Sequence, residues 1–185
     1  MLRGESVRYN SLTIILHWLM ALAFFVMLAS GVVMEYFDID KSLKYQLFQW
    51  HKGGGVLLLL AFFLRLAMRI FARTPPLPET MKALEKKLAK IGHWGLYVMM
   101  LLMPLSGWLM VSSSPYGLPT IVFDMFEWPH FPGVTGNGAV HDGAKLAHLI
   151  LAIIFAALIA GHIAAVVKHA ISDKENLLKR MWWTK

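Results

Sequence analysis

Four histidines stand in apolar surroundings at spacings suited to metal coordination: His17, His51, His148 and His162. His148 and His162 are fourteen residues apart. On a helix turning about 100° per residue they return to within about 40° of one azimuth, about 21 Å apart along the axis. One helix can therefore present an imidazole to each of two stacked sites. A neutral imidazole away from water needs both ring nitrogens satisfied, by hydrogen bonds or by a metal. A directly coordinated zinc or copper ion needs ligands converging within a few ångströms, which the separation of His148 and His162 forbids. The chain has no cysteine. That removes disulfides, thiolate zinc sites, cysteine-held iron–sulfur clusters and covalent Cys-x-x-Cys-His attachment of a macrocycle.

The elements that must position these histidines follow from composition. Of 185 residues, 57% are apolar and only 16% charged, against roughly 45–50% apolar in soluble domains. Four apolar stretches recur, at about Leu12 to Met34, Trp50 to Ile70, Ile91 to Val111 and Leu146 to Val167. Each is long enough to cross a hydrocarbon core of roughly 30 Å. The first is too long for a cleaved signal peptide, contains His17 and lacks a small-x-small cleavage site. The expectation is an all-α integral membrane four-helix bundle, residues 1–185 forming one domain. Thr74-Pro75-Pro76-Leu77-Pro78 signals a turn, and Glu79 to Lys90 reads as a short basic amphipathic helix on the membrane surface. Ser112 to Gly143, rich in Pro and Gly, reads as irregular capping structure.

Drawing the spans explains the charge. Fourteen Lys and Arg fall on one side, and Lys41, Lys44, Lys52 and Lys145 on the other. The positive-inside rule then places both termini and the Glu79 to Lys90 helix in the cytoplasm. Topology and attraction to anionic lipid account for the basic excess, so no nucleic acid is expected as a partner. Trp18, Trp50, Trp94 and Trp108 fall near span ends as interfacial belts do, and Trp182-Trp183 reads as a tail anchor.

Alternating span directions sort the histidines by depth. His17 opens span one and His162 lies late in span four, so both belong to the cytoplasmic half. His51 opens span two and His148 opens span four, so both belong to the outer half. Two pairs at two depths suit two macrocycles, each held by an imidazole on either face. Without cysteine, non-covalent haem b is implied. A histidine-lined proton pathway is the competing use. Gly55, Ala21 and Ala152, each four residues after a histidine, permit close helix approach, whereas Val166 breaks that pattern. The fourteen-residue step places Gly31 beside the outer site and Arg65 beside the inner one. A guanidinium there can pair with haem propionates.

These residues carry a resemblance. Leu16-His17-Trp18, Trp50-His51-Lys52-Gly53-Gly54-Gly55, Arg65-Leu66…Arg69, Thr74-Pro75-Pro76, Gly92-His93, Ala147-His148, Gly161-His162 and His169 together resemble the bacterial cytochrome b561 family over nearly the whole chain. The resemblance implies a multi-pass protein of the bacterial cytoplasmic (inner) membrane with two haems b, His17 and His162 on one, His51 and His148 on the other. Members with an assigned activity look like superoxide oxidases that reduce ubiquinone. Others resemble membrane cytochrome subunits linking a peripheral dehydrogenase or hydrogenase to the quinone pool.

Two axial histidines leave no open position on the iron, so single electrons are what such haems carry. At the outer end Lys145 lies three residues before His148, and Lys52 adjoins His51. Either can attract a small anion such as superoxide or neutralise propionates. The outer loops nevertheless hold six acidic residues against four basic, so steering of an anion has to be local. His169, two turns beyond His162, and His93 are placed for proton uptake beside a quinone. His130 and His141 read as surface residues of the outer loop. Beyond lipid, quinone and superoxide, a redox protein partner is the remaining expectation, with the long outer loop as its docking surface.

Overall fold

The computed structural model describes residues 8–172 and 177–183. Its elements are four long helices, α1 (Ser11–Tyr36), α2 (Lys41–Phe71), α3 (Ala83–Ser113) and α4 (Gly138–Ile171). A two-stranded hairpin, β1 (Thr120–Val122) and β2 (Phe126–Trp128), interrupts the α3–α4 connection. A 3-10 helix, Leu177–Met181, follows α4. All four long helices have the length and apolar character to cross a membrane. Much of their apolar surface faces outward, as at Leu19, Leu22, Phe25, Phe63 and Ile153. In water that surface would be costly; against lipid it is the expected exterior.

The helices start where side chains can satisfy free backbone donors. Asn10 accepts from the Thr13 amide (2.8 Å), Asp40 from those of Ser42 and Leu43, and Asn137 from that of Val140. α2 stops at Phe71, three residues before Thr74-Pro75-Pro76, which cannot continue a helix. The segment Glu79 to Lys90 is not a separate surface helix. Lys82 caps α3, its amide bonding to Glu85, and the helix runs unbroken from Ala83 into the apolar stretch. From Ala83 to Met103 the helix contains no proline, and Pro104 comes only deep in the apolar stretch, so continuing the hydrogen-bond ladder through Lys90 costs nothing that a break would recover. Likewise the 112–143 stretch is not wholly irregular. β1 and β2 pair antiparallel, with Thr120 opposite Trp128 and Val122 opposite Phe126.

The closest helix pairs are α3 with α4, α1 with α2, and α2 with α3. Their shared core is a mid-height layer of Met20, Phe24, Leu58, Phe62, Met99, Met100 and Phe155. At one end the hairpin lies against α2. At the other, the tail folds back over the helix ends. The Tyr9 amide donates to the Arg180 carbonyl (3.1 Å), the Trp18 indole to the Met181 carbonyl (2.7 Å), and Arg8 to the Trp183 carbonyl (3.1 Å). Trp182 packs edge to face on Trp18, and Arg180 donates to the Pro76 carbonyl. Lys168 of α4 pairs with Glu85 of α3 at this same end.

Candidate functional site

At the hairpin end, His51 of α2 and His148 of α4 face each other with ring centroids 6.3 Å apart. At the terminal end, His17 of α1 and His162 of α4 do the same, also at 6.3 Å. An iron held axially by two imidazoles has metal–nitrogen bonds of about 2 Å, and each ring centre lies about 1 Å behind its nitrogen, so the centroids fall about 6 Å apart. Both pairs meet that requirement. Among the described residues no three His, Asp or Glu converge as a metal-ion cluster. The donor set therefore fits two-ligand axial coordination and not a bare ion.

Hydrogen bonds around the first pair fix the rings for ligation. Ser30 Oγ lies 2.9 Å from His51 Nδ1 and also donates to the Met27 carbonyl at 2.9 Å. Ser106 Oγ lies 2.9 Å from His148 Nδ1 and donates to the Met103 carbonyl at 2.8 Å. A hydroxyl has one proton. With it committed to a backbone carbonyl, each serine must accept, so each histidine carries its proton on Nδ1 and leaves Nε2 bare. That is the ligating tautomer, held by an outer hydrogen bond.

Two glycines border these rings, and one of them, Gly107, is needed for the close approach. A Cβ at Gly31 would lie 3.7 Å from His51 Cε1, and one at Gly107 only 3.1 Å from His148 Cε1. Ser30, Ser106 and Gly107 were not singled out from sequence. Their signal was present as a repeated Ser-Gly dipeptide, 30–31 in α1 and 106–107 in α3. A serine inside an apolar span seeks a local carbonyl, and only tertiary placement shows which imidazole it serves.

The second pair is set differently. Arg65 Nη2 lies 3.0 Å from His17 Nδ1. A guanidinium only donates, so His17 accepts at Nδ1 and its proton sits on Nε2. Arg65 Nη1 is buried with no hydrogen-bond partner among the described residues, while the guanidinium lies 6.0 Å from the Tyr97 ring centre. A buried cationic donor without an acceptor fits an anionic group arriving with a cofactor, as propionates would. Its removal to that group would free His17 to take the ligating tautomer. A third imidazole, His93 of α3, stands 5.5 Å from His162, centroid to centroid.

Beside this pair opens a cavity of about 270 Å³, lined in part by Tyr9, Arg69, Thr74, His93, Trp94 and Tyr97. Of the two histidines expected to serve proton uptake, His93 lines it, whereas His169 is buried and lies on the wall of neither this cavity nor its smaller neighbour. Both lysines near the first pair are engaged. Lys52 donates to the Pro119 carbonyl at 2.7 Å, and Lys145 lies 3.8 Å from Glu35 with both side chains exposed. His141 is tied into the fold, its Nδ1 donating to the Met110 carbonyl at 2.8 Å. His130 Nε2 is buried without a hydrogen-bond partner among the described residues, so neither histidine is a freely solvated surface group.

Residues 8–184 match the family model described as prokaryotic cytochrome b561. "Cytochrome b561 homolog 2" of Escherichia coli strain K12 is 31% identical over 94% of this chain and 90% of its own length. "Probable superoxide oxidase CybB" of Yersinia pestis and "Cytochrome b561 homolog 1" of E. coli are each 26% identical over 94% of this chain, covering 95% and 96% of those proteins. Membership implies haem b. With the match spanning nearly all of its length, this chain belongs to the prokaryotic cytochrome b561 family.

Proposed function

We propose that this protein moves single electrons across the bacterial cytoplasmic membrane through two bis-histidine haems b, oxidising superoxide at the outer end and reducing ubiquinone at the inner. His51 and His148 hold the outer haem, and His17 and His162 the inner one, with both termini in the cytoplasm. The observation that carries this reading is the equal 6.3 Å spacing of the two pairs, each of which takes one histidine from α4. The name of the Yersinia relative, probable superoxide oxidase, supports the donor.

Haem b, when bound, would supply one-electron chemistry. The protein's part is orientation and environment. Ser30 and Ser106 keep the protons of His51 and His148 on Nδ1 and hold the rings across the gap. Arg65 supplies charge for propionates at the inner end. Lys145 attracts the anion locally, its exposed pairing with Glu35 being weak enough to leave attraction intact. At the inner end the cavity accommodates a quinone ring between Trp94, Tyr97 and the Pro75-Pro76-Leu77 turn. His93 on that wall, and His169 further along α4, hold protons that reduction consumes.

The test is haem stoichiometry and spin state in the purified protein and in alanine variants of His17, His51, His148 and His162. Each replacement should remove one haem or convert it from six-coordinate low spin, while replacing His130 or His141 should not. Mixing superoxide with the oxidised protein on a stopped-flow timescale then tests the donor. Reduction by dithionite without reduction by superoxide would remove superoxide and leave the electron path standing.

A further inference from the structure

We infer that the β1–β2 hairpin is a docking surface for a small basic electron-carrier protein, which exchanges one electron with the His51/His148 site. The inference rests on the haem reading above and extends it to a protein partner.

The hairpin is held in a fixed, strained shape directly over that site. Phe123 and Asp124 open its three-residue loop, 123–125, with φ of 46° and 60°, and the Met125 amide bonds to the Val122 carbonyl at 3.0 Å. Both lie in the left-handed region, which Gly and Asn normally occupy. An aromatic residue in the left-handed region costs free energy and persists only when its surroundings over-determine it. Here the surroundings are α2. The Phe123 ring lies so close to Gly53 that a Cβ there would stand 3.2 Å from Phe123 Cε2. Gly53 is two residues after His51. Lys52, between them, anchors the strand's approach through the Pro119 carbonyl. Consecutive residues of α2 thus carry the ligand, the latch and the seat of the hairpin.

What the hairpin presents outward is an apolar centre edged by carboxylates. Met125 is 66% exposed at the hairpin's tip, and Phe123 and Phe126 on the same hairpin are exposed too. Asp124 and Glu127 flank Met125 and Phe126 in sequence, and both are exposed. Among the described residues, Asp38, Asp124, Glu127 and Asp142 make no ion pair. The 112–143 connection itself holds Asp124, Glu127 and Asp142 and no Lys or Arg. Aromatic and Met anchors within a rim of one charge sign are the features of a small transient protein interface, and the sign selects a basic partner. One electron leaves one centre and enters the other, oxidising the first and reducing the second by one. No bond forms and no proton moves.

The experiment uses the haem-loaded protein in lipid nanodiscs, reduced with limiting dithionite and mixed with an oxidised lysine-rich c-type cytochrome as probe. The second-order rate should fall at least tenfold between low and physiological salt. D124K/E127K should lower the low-salt rate about tenfold and flatten the salt dependence, with haem spectrum and dithionite reduction unchanged. M125S and F126S should raise the half-saturating probe concentration several-fold without altering the salt slope. An acidic c-type cytochrome should react at least tenfold more slowly than the basic one. Rates indifferent to salt and charge reversal, including the result expected of a hairpin sunk in lipid, would overturn the docking surface while dithionite reduction keeps the haem reading. Absence of haem from the purified protein would overturn both.

Discussion

Phe24 of α1 and Phe155 of α4 meet edge to face with centroids 4.8 Å apart, midway between the two histidine pairs. Phe155 is seven residues from both His148 and His162, and Phe24 seven from both His17 and Gly31. Leu58 stands in the same register, seven from His51 and seven from Arg65. Seven residues are two helical turns, so the sites and the layer between them recur on the same helix faces. The layer is wholly apolar. Water there finds no hydrogen-bond partners, so the two polar sites are separated by a dry septum.

Replacing Phe155, which is 2% exposed, with alanine should destabilise the fold by about 3–5 kcal/mol, since ring contacts are lost and a cavity is left. Leucine should cost less because more of the volume is kept. The temperature at which haem is lost on heating would rank wild type above F155L and F155L above F155A. Equal temperatures would show that the layer relaxes freely around the gap.

Ser106→Ala and Ser30→Ala remove the acceptors that set the tautomers of His148 and His51. Loss of such an outer hydrogen bond typically weakens metal affinity by about 10–100-fold. Each variant should therefore lose haem from the outer site more readily on challenge with apomyoglobin, while the inner site keeps its wild-type release rate. A change confined to the inner haem would contradict the bonds at 2.9 Å.

Gly31 and Gly107 should differ in tolerance. An alanine at 31 would meet His51 at an ordinary 3.7 Å, whereas one at 107 would press on His148 at 3.1 Å. G31A should keep both haems, and G107A should shift the low-spin signal of the outer one. G107L should abolish that haem. Full occupancy in G107L would mean that α3 moves aside.

Arg65→Leu removes a cation beside the inner pair. Reduction adds negative charge, which a nearby cation stabilises, so its loss should lower the inner haem's potential. The drop should correspond to roughly 1–3 kcal/mol of lost charged hydrogen bonding. A redox titration with unchanged outer potential and a lowered inner one is the expected result; an unmoved inner potential would place the propionates elsewhere.

Lys145 and His169 test the two ends separately. Lys145→Ala should slow reduction by superoxide and weaken its salt dependence, and Glu35→Gln, which frees Lys145, should speed it. His169→Ala should slow reoxidation by ubiquinone alone. Both variants altering one half-reaction would refute the two-ended assignment. Reporter fusions after Lys185 and within 112–143 should give opposite signals, and matching ones would refute the topology.

Sequence alone determined the four long apolar helices, because length and apolarity are one-dimensional properties of a chain. It also determined which histidines share a depth, because helical rise converts residue number into height. The fourteen-residue step placed Gly31 near His51 and Arg65 near His17 by the same arithmetic, and the structure shows both contacts. Tertiary packing decided what depth cannot encode, namely which neighbouring side chain fills each remaining hydrogen bond. Ser30 and Ser106 face the His51/His148 pair, Arg65 faces His17, and a single residue's rotation about its helix axis separates these outcomes. The continuous α3 and the hairpin on Gly53 were likewise beyond periodicity. A helix extends past its apolar stretch when nothing breaks its ladder, and a strained turn at Phe123 survives only through contact with a residue seventy positions earlier in the chain.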